Sequence, residues 1–314
     1  MSGASQTASQ RPRVDVLGIH SGALGDVILF AQLLEALRPP GGTVGLVAGA
    51  SKAGLVKALG VVDRIWSFDS LAMHEAFMDT SDALAGAWPR CGRLVSCFAT
   101  GDGDAEDALA DACGASRRAF LPTRPRPTDS RHIVDVWAET LRLETISPPF
   151  WPPPAALVDE AAKMLGSVGV DSSGEFALLH IGAGSPAKRW PLSAFESLAD
   201  RLAWPCVFVA GPVECERAAA DVRAVSSRRK CLVNPSLTSL AGAASLARVF
   251  VGCDSGPTHL AAAVGAPTMA LFGPTDPVRF APRGRCVEVL GNEPLAQLSV
   301  DRVAQGALSA GQSL

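Results

Sequence analysis

The chain has 314 residues, 48% of them hydrophobic, with a formal charge of -3 and a pI near 6.0. That length and apolar content suit two domains of ordinary size, and the weak charge excludes the broad cationic field that a nucleic-acid groove or a strongly basic membrane face requires. Eight cysteines lie scattered without a C-x-x-C pair, several inside apolar runs such as Cys206-Val207-Phe208-Val209, which reads as buried thiols of a cytoplasmic protein.

The polar opening, Met1 to Arg13, is expected to be disordered, and no apolar run is long enough to span a bilayer. From Val14 onward, short β-branched runs alternate with amphipathic segments, the pattern of βα units in a parallel sheet. A strand is predicted over 14–19, a Gly-containing turn over 20–25 and a helix over 26–37, with Val27, Phe30, Leu33, Leu34 and Leu37 on one face. Strands follow over 44–48, 64–68, 93–98 and 117–121, and a helix over 133–143 closes the first half. The run Ser147 to Pro154 holds five prolines, which can neither continue a helix nor join a central strand, so the domain boundary falls there: 1–150 and 151–314. The alternation then resumes. Helices are predicted over 155–165, 194–203, 213–225, 237–244 and 257–264, and strands over 176–181, 206–210, 230–233, 249–252 and 268–272. Both halves therefore read as α/β, doubly wound on a parallel sheet, without a sequence repeat at a fixed period.

In such sheets ligands bind beyond the carboxyl ends of the strands, so the strand-to-helix turns are where chemistry is sought. The strand 249–252 runs into Asp254-Ser255-Gly256-Pro257-Thr258-His259. Here Ser255 can cap the helix, Gly256 admits a close ligand and Pro257 fits the first turn. Free amides and the dipole at that start favour a phosphate, and His259 lies one turn in on the same face. A purely structural cap is an equal reading of the same residues. The second turn, Gly182 to Pro191, carries Ser185, Lys188, Arg189 and Trp190, and it is longer than the roughly two to six residues usual before a helix. Its cations point to a charged, oxygen-rich ligand, and Ser193 with Glu196 reads as a capping box for the helix that follows. The third turn, His20 to Asp26, fits neither a dinucleotide fingerprint nor a P-loop. Asp26 is either a first-turn acid that serves its helix or the base that accepts a proton from a substrate hydroxyl. The fourth, Gly211 to Glu216, offers Glu214 or Glu216 to a ribose, or to the helix alone. Asp102, Asp104, Glu106 and Asp107 read as solvated surface.

Taken in order, Gly22-Ala23-Leu24-Gly25-Asp26-Val27-Ile28, His132-Ile133-Val134-Asp135, the segment 180–191, Ala210 to Glu214, Asp254 to Ala263 and Leu271 to Pro277 resemble glycosyltransferase family 9, the lipopolysaccharide heptosyltransferases. The resemblance covers nearly the whole chain. It implies a GT-B fold, two Rossmann-like domains facing across a cleft, with an acceptor-side first domain and a donor-side second one. It further implies metal-independent, inverting transfer of heptose from ADP-heptose to a lipopolysaccharide core or other glycan, with no cofactor. Catalytic roles fall to Asp26 as base and Lys188 as the neutraliser of the donor phosphates. Substrate contacts fall to Gly25, Gly182, Ser185, Glu214, Asp254, Ser255, Gly256 and His259. The expected partners are a nucleotide-sugar donor and a glycan or lipid-linked glycan acceptor, without nucleic acid and with room for peripheral membrane contact. Two other functions fit the same fold: a different nucleotide-sugar donor, or nucleotide-sugar binding without catalysis. The chain departs from the family at His20, where members usually carry Arg or Lys.

Overall fold

The computed structural model of the chain describes residues 11–71, 88–291 and 293–312. These form two compact units, one from residues up to Asp129 together with Ile133–Ser147, the other from Ser130–His132 together with Pro148 onward.

The first unit runs β1 (Arg13–Ile19), α1 (Leu24–Ala36), β2 (Val44–Ala48), α2 (Ala50–Ala58), β3 (Arg64–Ser67), β4 (Arg90–Ser96), α3 (Gly103–Cys113), β5 (Arg117–Phe120) and α4 (Ile133–Thr140). Its sheet is parallel with strand order β3-β2-β1-β4-β5. Central strands of a two-faced sheet must be apolar on both sides, and every residue of β2 is buried. The edge strands β3 and β5 instead present Arg64, Arg117 and Arg118 to solvent, which discourages pairing with other chains. Val14, Leu17, Ile19, Trp88, Leu94 and Leu109 meet in one apolar cluster on this sheet.

The second unit runs α5 (Ala155–Ser167), β6 (Ala177–His180), α6 (Leu192–Ala199), β7 (Cys206–Ala210), α7 (Pro212–Arg217), α8 (Ala219–Ser226), β8 (Cys231–Val233), α9 (Leu237–Leu246), β9 (Val249–Cys253) and α10 (Gly256–Ala263). It ends with β10 (Thr268–Leu271), α11 (Pro277–Phe280), β11 (Val287–Leu290) and α12 (Val300–Gln312). Strand order is β11-β10-β9-β6-β7-β8, again all parallel. Strands β6, β9 and β10 are buried along their whole length. The order reverses between β1 and β4 in the first sheet and between β6 and β9 in the second, so each sheet has one switch point where loops diverge and leave a crevice.

Several local expectations are corrected. Residues 11–13 are ordered: β1 begins at Arg13, and the Arg11 guanidinium donates to the carbonyl of Ala112 at 3.1 Å. The remainder of the opening segment lies outside the described residues. The helix expected over 213–225 is two, broken at Ala218 (φ -137, ψ 36), where neither glycine nor proline marks the break. Ser193 and Glu196 do not form a capping box. Helix α6 starts two residues earlier, because the N–H groups of Ala194 and Phe195 both reach the carbonyl of Pro191, and Glu196 turns outward to Arg228 at 2.9 Å. In the acidic run after β4, Asp102, Asp104 and Asp107 are exposed and Glu106 is half-buried, and the run also starts a helix: Asp102 Oδ1 accepts the N–H of Ala105, and Glu106 accepts that of Gly101. The proline-rich segment is neither helix nor strand, with Trp151 buried and its N–H on the carbonyl of Ala263 at 2.8 Å.

Candidate functional site

At the switch point of the second sheet, β6 and β9 pair side by side, with His180 opposite Gly252. Both strands then release their chains on the same edge, and Lys188 and Asp254 meet there. The Lys188 ammonium donates to Asp254 Oδ2 at 2.7 Å, with the aspartate side chain 10% exposed and the lysine 33%. Such a half-open lysine keeps donors for a second anion while Asp254 holds it in place. It is carried on a single turn, Pro186–Lys188, whose last N–H returns to the carbonyl of Ser185 at 3.1 Å. Arg189 follows, half-buried, and Trp190 anchors the loop. The tryptophan is a packing residue of the second unit. Its ring is buried against Phe195 at 4.9 Å, its indole N–H donates to the carbonyl of Leu298, and its backbone N–H meets Cys253 Sγ at 3.3 Å. Burying so large a ring is worth several kcal/mol and fixes the loop beside β9.

Helix α10 begins at Gly256 with Ser255 in an extended conformation ahead of it. The Ser255 side chain does not cap the helix. Its Oγ lies 3.1 Å from Thr258 Oγ1 and 3.4 Å from His180 Nδ1, so it is turned down beneath the helix start. The N–H groups of Thr258 and His259 fold onto the carbonyl of Ser255. Pro257 has no N–H, and no acceptor among the described residues meets the N–H of Ser255 or Gly256. Two adjacent amides at the positive end of a helix, beside a lysine, are an arrangement suited to a phosphate. His259 is buried one turn further in.

Helix α7, after β7, completes this edge. Glu214 is 5% exposed and folds back so that Oε2 accepts the N–H of Gly211 at 2.9 Å, whereas Glu216 on the same turn is exposed. Of the two acids, Glu214 is the one the fold brings to the β6 turn. A Cβ on Gly182 would sit 2.1 Å from the Glu214 carboxyl carbon, so glycine is required there for the carboxylate to approach the chain. His180 Nε2 lies 3.8 Å from Glu214 Oε2. Burial holds the His180 imidazole neutral, pushing its pKa down to about 4, although the Glu214 charge and a hydrogen bond with the Gly182 backbone favour protonation. A depression of about 280 Å³ lined by Ile181, Arg189, Trp190, Leu192, Glu214 and Asp221 adjoins the glutamate.

The first sheet has its own arrangement at the equivalent edge. Asp26 sits in the first turn of α1, half-buried, and its Oδ2 accepts the N–H of Ala23 at 3.1 Å. Gly25, beside it, is buried. His20 is buried against Phe30 at 5.2 Å and Trp137 at 6.5 Å, and its Nδ1 accepts the N–H of Gly22. Desolvation lowers its pKa to about 4 against the charge of Asp26, which raises it, with Lys52 adding to the lowering. The His20 that stands where a permanent cation was expected is therefore neutral. Lys52, at the start of α2, supplies a cation instead, its ammonium donating to the carbonyl of Gly22. Lys52 and His180 were not assigned roles from the sequence. His180 ends a strand in a quoted motif, but Lys52 lies in a helix that the sequence pattern did not disclose. Next to these, Cys97, Ala99, Thr100, Asp102, Thr123 and Arg124 line a concavity of about 630 Å³ beyond β4 and β5.

Residues 151–305 match glycosyltransferase family 9 (heptosyltransferase). Lipopolysaccharide heptosyltransferase 1 of Pseudomonas aeruginosa is 33% identical over 109 residues, 34% of this chain and 31% of that protein, so the chain spans about a third of the length of this curated relative. Among solved structures, a family 9 glycosyl transferase from Veillonella parvula superposes with a TM-score of 0.77 at 21% identity, over 96% of this chain and 98% of that one. The E. coli ADP-heptose lps heptosyltransferase II does so with a TM-score of 0.73 at 17% identity, over 95% and 98%. At these identities the likeness is one of fold, and it covers both units. The second unit thus carries the sequence pattern of glycosyltransferase family 9, and the two parallel sheets share the fold of that family's solved structures.

Proposed function

We propose that the protein is an inverting glycosyltransferase that moves heptose from ADP-heptose to a hydroxyl of a lipopolysaccharide core or other glycan. The observation that carries the reading is the Lys188–Asp254 pair set beside two open amides at the start of α10, on the switch point of the second sheet. In the reaction an acceptor oxygen forms a bond to the anomeric carbon on the face opposite the nucleotide, and the bond from that carbon to the β-phosphate oxygen breaks. The acceptor proton passes to the Asp26 carboxylate, and the electron pair leaves with ADP. Charge then grows on the β-phosphate, where fixed amides and the Lys188 ammonium stabilise it without reorganising and without a divalent ion. Glu214 accepts hydrogen bonds from the ribose, Asp254 contacts the sugar, Gly182 and Ser185 shape the loop over the donor, and His259 supports the phosphate site. Gly25 holds the turn that presents Asp26. Among the described residues no helix is long and apolar enough to cross a membrane, so a lipid-linked acceptor would be met by peripheral contact.

The test is transfer and binding measured separately. Asp26→Asn keeps an oxygen for the N–H of Ala23 and is expected to abolish transfer, a loss on the order of 10²-fold or more, while ADP binds as before. Unchanged turnover would remove Asp26 from the role of base. Turnover with a UDP- or GDP-sugar alone would refute the donor assignment, and ADP binding without transfer to any acceptor would leave a binding protein.

A further inference from the structure

The hydroxyls beneath α10 fix one another's direction. Thr258 Oγ1 lies 2.6 Å from the carbonyl oxygen of Cys253, which can only accept, so the single hydroxyl hydrogen of Thr258 is spent there. Ser255 Oγ, 3.1 Å from Thr258 Oγ1, must therefore be the donor in that contact. Its own hydrogen is then used, and in its second contact, 3.4 Å from His180 Nδ1, Ser255 can only accept. With both contacts made as hydrogen bonds, the relay calls for the imidazole proton on Nδ1. On the other face of the ring, Nε2 stands 3.8 Å from Glu214 Oε2, beyond hydrogen-bond reach. The ring stacks on Phe250 at 6.4 Å with an interplanar angle of 20°, and it is fully enclosed.

We propose that His180 is a positioning residue of the donor site. Its Nδ1–H, acting through Ser255 and Thr258, pins the Ser255 side chain beneath the start of α10, so that the donor diphosphate is met by the Ser255 and Gly256 amides and not by the hydroxyl. The relay runs from Nδ1–H to Ser255, from Ser255 to Thr258 and from Thr258 to the carbonyl of Cys253, the last residue of β9. It explains why a serine at a helix N-cap leaves its own helix uncapped. The same ring touches the Gly182 backbone and faces Glu214, so one uncharged side chain contacts all three turns that make this edge. A neutral ring suits that place, since a fixed charge there would have to be desolvated.

This inference rests on the donor reading above, and its test separates the two. Nitrogen NMR of labelled wild-type protein reads the tautomer directly, and Nδ1–H is expected. ADP is then titrated against wild type, His180→Ala, His180→Asn, Ser255→Ala and the double variant His180→Ala/Ser255→Ala. His180→Ala is expected to weaken ADP by about tenfold, the loss of one ordered hydrogen bond. His180→Asn, whose amide nitrogen can stand where Nδ1 does, is expected to restore most of that. The double variant is expected to bind no worse than the weaker single variant, because both act through one relay. A proton on Nε2, a folded His180→Ala with wild-type ADP affinity, or additive losses in the double variant would overturn the proposal. Should His180→Ala fail to fold, the wild-type tautomer and His180→Asn still decide it. Wild-type protein that does not bind ADP would instead defeat the donor reading, whatever the tautomer.

Discussion

Replacing Gly182 with alanine places a methyl group 2.1 Å from both Cδ and Oε1 of Glu214, where ordinary contact begins at 3.4 Å. The carboxylate must retreat by the difference, about 1.3 Å, and it is 5% exposed with one oxygen on the N–H of Gly211 at 2.9 Å. Losing a hydrogen bond to a charged group costs about 1.5–3 kcal/mol, and overpacking a filled site adds about 1–3 kcal/mol. For a unit of this size each kcal/mol lowers Tm by about 2–4 °C, so Gly182→Ala is expected to melt roughly 5–20 °C below wild type. It is also expected to bind ADP more weakly, because the displaced carboxylate is the group proposed to meet the ribose. A thermal melt with and without ADP measures both effects. Gly184→Ala, two residues along the same loop, is the control, since its added carbon would meet nothing within 4 Å. A Gly182→Ala protein that melts with wild type and keeps its ADP affinity, or a Gly184→Ala protein equally damaged, would refute the close-approach argument.

Two further outcomes follow from burial. His20 and His180 both titrate near pH 4 in the folded chain, against 6.5 for the free side chain. The unfolded chain thus takes up protons that the folded one refuses, and the stability present above pH 6.5 is lost as pH falls toward 4, by a few kcal/mol for the pair. Melting at pH 7 and pH 5 should show the drop, and replacing either histidine with asparagine should reduce it; a flat profile would contradict the buried neutral rings. Burial likewise raises Cys206 and Cys231 to about 11 and Cys253 to about 12. At pH 8 these thiols should resist alkylation in native protein, with the half-exposed Cys215 and Cys286 modified first. Rapid reaction at Cys253 without denaturant would argue against its enclosure.

The sheets were readable because central strands of a two-faced sheet are short apolar runs: 44–48 and 206–210 coincide with β2 and β7. What escaped notice lacked that signature. Helix α2 carries a glycine and only three buried residues, so it offers no strong apolar stripe, and the face that α12 buries is mostly alanine and glycine. In the candidate site, Asp254, Ser255 and Lys188 stood out by their place after strands and before helices. The sequence could not distinguish a serine that caps its helix from one turned onto a histidine 75 positions earlier, because that choice is made by contacts across the sheet. The same holds for Glu214 over Glu216, which depends on the room that Gly182 leaves.

The internal hydroxyl relay beneath α10 also bears on how donor choice could change. On the donor reading, backbone amides grip the diphosphate, and amides are the same in every residue but proline. That grip is blind to which base, ribose or sugar hangs from either end. Discrimination between nucleotide sugars then falls to side chains lining the depression beside Glu214 and to Asp254 at the sugar end. Selection for a new donor can rewrite those positions while the helix start and its relay stay untouched, so binding strength and donor identity are separately adjustable in this unit.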